Sequence, residues 1–284
     1  LFADLGAEVI KIEPPEGEMI RDNPPRVETG KGGPHDRSRS AYFLSLNRNK
    51  YGITLNLKHP RAVSIFKDLV KISDVVLENY APGVMKRLGI DYDVLKEINP
   101  RVIMCGISGF GQWGPYSDKI AFDISAQATS GLMSVTGYPD TPPTRVGTSL
   151  GDINAAVHAA FAIMAALWHR ERTGEGQYVD VSMQEAMVSI LEGAIARWTV
   201  GGELMGPIGS HNTNESPFAA YKCKDGYIII ATVGNEHWER FCRAIGKMEW
   251  FKDPKNATKG LRWARKWDLS KEIEAVTTQY TVKE

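Results

Sequence analysis

The hydrophobic positions of the chain alternate between short apolar runs and longer stretches with helical spacing. Residues 8–12, 74–77 and 101–107 are short, mainly apolar segments of the kind that forms strands. Residues 60–71 carry their apolar side chains on one helical stripe, with Pro60 in the first turn. Strands that alternate with helices favour a parallel, Rossmann-like sheet. The pattern therefore predicts an α/β protein.

One predicted helix differs from the others because nearly all of its residues are apolar. Residues 153–168 are interrupted only by Asn154 and His158 among Ile, Val, Ala, Phe, Met, Leu and Trp. This composition predicts a helix that is buried on all sides rather than amphipathic. The run is shorter than the roughly 20 residues that cross a bilayer, so we expect a core helix and no membrane contact.

The second half of the chain contains the predicted domain boundary. Residues 201–216 are rich in Gly, Asn, Ser and Pro, and we interpret them as a linker. A continuous helix is expected before the linker, over about 183–200, and a strand and a helix after it. We predict a large Rossmann-like domain over 1–200 and a smaller α+β domain over 217–284.

Composition and charge narrow the function classes. The 284 residues include 34 Lys and Arg and 34 Asp and Glu, and this neutral balance argues against general nucleic-acid binding. Cys105, Cys223 and Cys242 form no CxxC pair, and the six histidines have no metal-ligand spacing. We therefore expect no metal site, no disulfide framework and a cytoplasmic protein, with the mitochondrial matrix also compatible.

Positive charge is concentrated in residues 29–58. This segment holds six Lys or Arg (31, 37, 39, 48, 50 and 58) and one acid, Asp36. Taken alone, such a cluster is most often a solvated loop surface. The alternative is a binding site for a polyanion that carries phosphates.

Asp152 is the strongest candidate for chemistry. It lies where a glycine-containing turn passes into the apolar helix. A carboxylate there meets unpaired backbone N–H groups and the positive end of the helix dipole, which are expected to favour its ionised, nucleophilic form. On local sequence alone, helix capping is the commoner role of such an Asp.

Several segments, taken in order, resemble those of the family III CoA-transferases. They are residues 5–13, 46–50, 78–83, 109–115 and 151–183. The resemblance implies that Asp152 is the catalytic nucleophile of an enzyme that moves coenzyme A from an acyl-CoA to a free carboxylic acid. The intermediates would be an aspartyl mixed anhydride and an aspartyl-CoA thioester, without a metal or a tightly bound cofactor. The two acids are left open.

The resemblance also implies a coenzyme A site and an acyl pocket. The residues that match the coenzyme A contacts of the family are Arg21, Leu55, Lys58, Asn79 and Arg87. Lys58 and Arg87 suit phosphate oxygens, and Leu55 and Asn79 would flank the adenine. The implied acyl-pocket residues are Tyr42, Phe122, Gly109 and Gln112, with the 109–112 segment as a wall that also supplies N–H groups to oxyanions.

A related activity is the main alternative. The α-methylacyl-CoA racemases resemble the chain in most of the same segments and pair the aspartate with a histidine as second base. Phe122 occupies the matching position, and a phenyl ring cannot carry a proton. The transferase is therefore favoured, and a non-catalytic CoA-binding protein is the remaining alternative.

The resemblance implies an interlocked homodimer. Relative to the family, an N-terminal strand and helix are missing before Leu1, and the small domain is incomplete at Glu284. As part of a longer protein, the chain is expected to form a dimer with an interface above about 2,000 Å². As a whole polypeptide it should aggregate through exposed sheet edges and apolar faces. Residues 209–216 match a mobile glycine-rich loop of some members, but contain Gly209 as their only glycine.

Overall fold

The computed structural model describes residues 1–26 and 40–284 and contains short strands separated by helices. The strands are β1 (Ile10–Glu13), β2 (Tyr51–Thr54), β3 (Val75–Glu78), β4 (Ile103–Ser108), β5 (Tyr178–Ser182), β6 (Phe218–Lys222) and β7 (Tyr227–Ala231). Strands and helices alternate through β5, as the hydrophobic pattern predicts.

The helices are of very unequal length. They are α1 (Ala41–Asn47), α2 (Pro60–Val70), α3 (Val84–Arg87), α4 (Tyr92–Ile98), α5 (Asp123–Thr129), α6 (Leu132–Val135), α7 (Leu150–Thr173), α8 (Met183–Val188), α9 (Glu192–Gly201), α10 (Gly234–Ala244), α11 (Met248–Lys252), α12 (Lys259–Ala264) and α13 (Lys266–Thr277). Short 3-10 helices cover Phe2–Leu5, Met19–Asp22 and Pro254–Asn256.

The first five strands are parallel. β1 pairs with β2, and β4 lies between β3 and β5, with Cys105 opposite Leu77 on one side and Val179 on the other. Beyond them, β6 and β7 form an antiparallel pair. Because parallel strands are joined by helical crossovers, this topology confirms the predicted α/β class.

The chain divides into two compact units that differ from the predicted domains. The first consists of residues 1–127 and 149–190, and the second of residues 128–148 and 191–284. The predicted helix over 183–200 is wrong, because it is interrupted between α8 and α9. Ser189 donates its hydroxyl to the carbonyl of Ala186 (2.7 Å), a local bond that competes with continued helix. The observed boundary falls at this interruption, before residues 201–216.

The core of the first unit lies between α2, α4 and the parallel strands. Its buried side chains are Phe66, Val70, Met85, Ile90, Leu95, Val102 and Met104. Ile12 of β1, Leu57 after β2 and Val76 of β3 pack against this cluster. One core therefore supports the carboxyl ends of β1, β2 and β3.

Helix α7 is not buried on all sides, so that prediction is wrong. It packs against β4, β5 and α8 through small or branched residues that include Ala155, Ala159 and Ile163. On other positions, Phe161 is 78% exposed and Trp168 is 70% exposed. With 24 residues, α7 is also longer than expected. By length and composition alone it could cross a membrane, and 28% of its apolar window is buried inside the protein.

The second unit has its own core beneath β6 and β7. The buried cluster consists of Ala219, Tyr221, Trp238, Cys242, Leu269 and Ile273. The ring of Trp238 stacks on Phe241 and Trp250, with centroids 5.8 and 6.5 Å apart. Aromatic packing of this kind supplies much of the apolar area that a small domain buries.

Candidate active site

The first turn of α7 carries Asp152 beside a second carboxylate. Oδ1 of Asp123, in the first turn of α5, accepts a hydrogen bond from the backbone N–H of Gly151 (2.8 Å). Nε2 of the buried Gln127 donates to both carboxylate oxygens of Asp123, at 3.1 and 2.9 Å. Asp152 itself is exposed. The start of α7 therefore presents a reachable carboxylate next to one that is held in place.

The electrostatics of Asp152 differ from the sequence-based expectation. Surrounding protein atoms displace part of its water although it is exposed, and this desolvation together with the charge of Asp123 raises the pKa of Asp152. The expectation that the helix terminus favours ionisation is therefore wrong in direction, because desolvation and the charge of Asp123 both act the other way. A raised pKa makes the ionised carboxylate a more basic nucleophile.

The segment 109–112 is anchored to β5 and α8. The carbonyl of Gly109 accepts from the N–H of Gln184 (3.1 Å), and the N–H of Gln112 donates to Asp180 (2.9 Å). A side-chain carbon at Gly109 would lie 2.3 Å from Cβ of Ala121, so this close approach requires glycine. Gln112 therefore cannot offer its N–H to an oxyanion while that bond to Asp180 persists.

Phe122 lies between these two features. It follows Ala121, which contacts Gly109, and precedes Asp123, which holds Gly151. Its side chain is 67% exposed in the chain, and its carbonyl begins α5 by accepting from the N–H groups of Ser125 and Ala126. Contacts and chain neighbours thus link the predicted pocket residues Gly109 and Phe122 to the turn that carries Asp152.

The predicted coenzyme A contacts follow the carboxyl ends of β1, β2 and β3. The guanidinium of Arg21 binds Glu13 through two bonds of 2.7 and 2.8 Å and lies 3.8 Å from the ring centre of Phe43. The backbone N–H of Leu55 donates to the carbonyl of the same Glu13 (2.9 Å). Arg21 and Leu55 therefore meet at the end of β1, where hydrogen bonding to Arg21 lowers the pKa of Glu13.

The other three predicted contacts are exposed. Lys58 lies in the turn between β2 and α2, Asn79 directly follows β3, and Arg87 ends α3 with its guanidinium over Gly83. Ligands of parallel α/β sheets commonly bind beyond the carboxyl ends of the strands. These three positions suit such a ligand, and they lie on different segments: the turn after β2, the end of β3 and the end of α3.

Only part of the basic cluster can be described. Lys31, Arg37 and Arg39 lie outside the described residues, and Tyr42 on α1 is 40% exposed. Within residues 40–58, Arg48 pairs with Asp4 (2.8 Å) and Lys50 donates to Asn47 (3.0 Å). In that described part, Lys58 is the cation without such a side-chain partner.

Sequence reasoning missed the buried acid at the end of β3, Glu78. Glu78 accepts a hydrogen bond from the N–H of Tyr80 (2.7 Å), which shapes the turn that presents Asn79. Burial raises the pKa of Glu78, and the nearby charge of Asp180 adds to the effect. Asp123 was missed as well. The sequence signals were an acid at the end of a strand, Glu78, and an acid at the start of a helix, Asp123. Neither signal shows which residue the acid contacts.

Comparison with known proteins shows the family to which the chain belongs. The sequence profile of CoA-transferase family III matches residues 1–284. A succinyl-CoA:mesaconate CoA-transferase of Haloarcula marismortui is 38% identical over 98% of the chain and 70% of its own length. An acetyl-CoA:oxalate CoA-transferase of Acetobacter aceti is 42% identical over 90% of the chain and 64% of its own length.

Further relatives include a mammalian enzyme and a solved structure. The succinyl-CoA:glutarate CoA-transferase of Mus musculus is 38% identical over 96% of the chain and 61% of its own length. A CaiB/BaiF family protein from Brucella suis superposes with a TM-score of 0.86 at 34% identity, covering 99% of the chain and 73% of that protein. The chain therefore belongs to CoA-transferase family III and is a transferase.

Proposed function

We propose that the protein transfers coenzyme A from an acyl-CoA to a free dicarboxylic acid with Asp152 as nucleophile. The observation that carries the proposal is the exposed carboxylate of Asp152 at the start of α7, next to Asp123. The described relatives are named for mesaconate, oxalate and glutarate, all dicarboxylic acids, and two of the three are named for succinyl-CoA. Succinyl-CoA is therefore our first candidate donor.

The proposed reaction consists of four acyl transfers. A carboxylate oxygen of Asp152 attacks the donor thioester; a C–O bond forms, the C–S bond breaks, and the CoA thiolate leaves with the electron pair. The thiolate attacks the aspartyl carbonyl of the anhydride, which releases the donor acid and leaves an aspartyl-CoA thioester. The acceptor carboxylate displaces the thiolate to form a second anhydride. The thiolate then attacks the acceptor carbonyl, which yields the new acyl-CoA and regenerates Asp152.

The surroundings of Asp152 support this role in two ways. Its raised pKa makes the ionised carboxylate more basic, and its exposure leaves it reachable. The oxyanion that forms in each attack needs N–H donors. Because the N–H groups of Gly151 and Gln112 already bind Asp123 and Asp180, the proposed donors are the N–H groups of residues 109–111.

The proposal is tested by trapping the intermediate. The full-length protein is incubated with succinyl-CoA, digested and analysed by mass spectrometry, and we expect an adduct on the peptide that contains Asp152. In parallel, succinyl-CoA and acetyl-CoA are offered with a panel of mono- and dicarboxylic acids. An adduct on another residue, or no exchange with any acid, would overturn the proposal.

Phe122 argues against the racemase alternative, both in the sequence and in the structure. Racemisation needs a second base on the other side of the α-carbon, and a phenyl side chain cannot supply one. We therefore assign Phe122 to the wall of the acyl pocket, in keeping with its exposure beside the turn of Asp152.

Arg87 provides a test of the coenzyme A site. We expect Arg87→Ala to raise the KM for the acyl-CoA about tenfold with little change in kcat, because a phosphate contact distant from the reacting carbonyl binds substrate and transition state equally. Steady-state kinetics measure this split. Lys71→Ala is the control, since Lys71 is exposed and pairs with Asp68 on the surface. An unchanged KM in Arg87→Ala would remove Arg87 from the site.

We further propose that the full-length protein is a homodimer. The exposed side of α7 supports this, because its large apolar residues form a stripe at helical spacing: Ile153, Val157, Phe161, Met164 and Trp168. Large exposed apolar patches mark interaction surfaces. We expect light scattering to give twice the mass of the protomer and Phe161→Glu to weaken the dimer. An active monomer would contradict the proposal.

A further inference from the structure

Asp123 holds the backbone directly before Asp152, a contact that its position in the sequence does not reveal. Its Oδ1 accepts the N–H of Gly151, the residue directly before Asp152. Gln127, fully buried on the same helix, donates to both oxygens of Asp123 and so fixes the orientation of the carboxylate. A chain of defined hydrogen bonds thus runs from the interior of α5 to the backbone of the residue next to the nucleophile.

Close packing at Gly151 strengthens this connection. A Cβ atom on Gly151 would lie 3.2 Å from Cβ of Ala126, 3.2 Å from Oδ1 of Asp123 and 3.3 Å from its carbonyl oxygen. Only glycine lets the first turn of α7 approach the start of α5 without displacing one of these atoms. The first turns of α5 and α7 are therefore in direct contact, and Asp152 is the residue after Gly151.

The charge of Asp123 also acts on Asp152. Titratable groups on the elements packed against α7 are Cys105 on β4, Tyr178 and Asp180 on β5, and Glu185 on α8. Of the titratable groups that the structure describes, Asp123 is the one whose charge raises the pKa of Asp152, in addition to desolvation. A more basic carboxylate attacks a thioester faster once it is ionised.

We infer that Asp123 is a positioning residue for Asp152: it fixes the backbone of the nucleophile through Gly151, and its negative charge increases the nucleophilicity of the neighbouring carboxylate. The inference rests on the proposed function of Asp152 as nucleophile. Asp123 forms no covalent bond in the reaction and transfers no proton; it acts only through geometry and charge.

Two substitutions separate these contributions. Asp123→Asn keeps a carbonyl oxygen for the Gly151 N–H and removes the charge, while Gln127 turns its amide to accept from the new NH2 group. Asp123→Ala removes both the hydrogen bond and the charge. We expect kcat to fall up to about tenfold in the Asn variant and about 100-fold in the Ala variant, with KM little changed, because a displaced nucleophile loses attack geometry.

The pH profile provides a readout that a merely structural role would not move. We expect activity to rise with pH as Asp152 ionises. Removing the negative charge of Asp123 lowers the pKa of Asp152, so the acid limb of kcat in Asp123→Asn should move to lower pH. Asp118→Asn is the control, because Asp118 is exposed and lies on the surface beside Lys119; its kcat and profile should match the wild type.

Adduct trapping separates failure of the inference from failure of the proposed function. If the wild type forms the Asp152 adduct but Asp123→Asn keeps wild-type kcat and the same acid limb, the positioning role is overturned and the nucleophile stands. If the wild type forms no adduct on Asp152, both are overturned. Circular dichroism checks the fold, and should Asp123→Ala not fold, the Asn variant decides.

Discussion

Asp152→Asn is expected to reduce CoA transfer by about 10⁴-fold or more while the protein stays folded. An amide oxygen does not attack a thioester as a carboxylate does, so the first bond of the reaction cannot form. Asp152 is exposed in the first turn of α7, whose N-cap is Ser149, so the free energy of unfolding should change by less than about 0.5 kcal/mol. Because Ser149 is the N-cap of α7, the substitution tests the nucleophile without removing the helix cap.

A matched cap variant completes the experiment. Asp91 caps α4, where its Oδ1 accepts from the N–H of Val94 (3.3 Å). Asp91→Asn makes the same chemical change at a residue with a capping role, and it should leave both activity and stability near wild type. Turnover of Asp152→Asn at the wild-type rate would refute Asp152 as the nucleophile.

The largest expected effect on stability is at Arg262, in the second unit. Its side chain is 0% exposed and donates to the carbonyls of Ser216 (3.0 Å) and Asn256 (2.8 Å) and to Oδ1 of Asn235 (2.9 Å). Arg262→Met fills a similar space but leaves these buried acceptors without donors. We expect a loss of about 3–5 kcal/mol in the free energy of unfolding.

Urea unfolding followed by tryptophan fluorescence measures this loss. Five of the seven tryptophans lie in the second unit, so the signal reports mainly on that unit: Trp198, Trp238, Trp250, Trp263 and Trp267. Arg240→Met is the control, because Arg240 is exposed and pairs with Glu236 on the helix surface, which predicts a change within about 0.5 kcal/mol. Equal effects of the two substitutions would refute the structural role of Arg262.

The local hydrophobic pattern and the family-like segments were sufficient to predict part of the fold and a candidate site residue. The spacing in 60–71 and Pro60 predict α2, because a helix that covers a core must repeat its apolar side chains every three or four residues. The short apolar runs predict β1, β3 and β4 to within about three residues, since the runs match the length of parallel strands. Asp152 was predicted as the nucleophile because the segment 151–183 resembles that of the family III CoA-transferases.

Other features depend on contacts between residues that are distant in the sequence. Residues 153–168 are apolar throughout, so no polar face indicates which side packs; the structure turns the small residues of α7 toward β4, β5 and α8 and leaves Phe161 exposed in the chain. The pKa of Asp152 is raised first by desolvation and then by the charge of Asp123, 29 residues earlier. Sequence alone determined the family and the α/β class, and it predicted Asp152 as the nucleophile. Only the tertiary structure decided which groups surround Asp152, because hydrogen bonds and charges act across space and not along the chain.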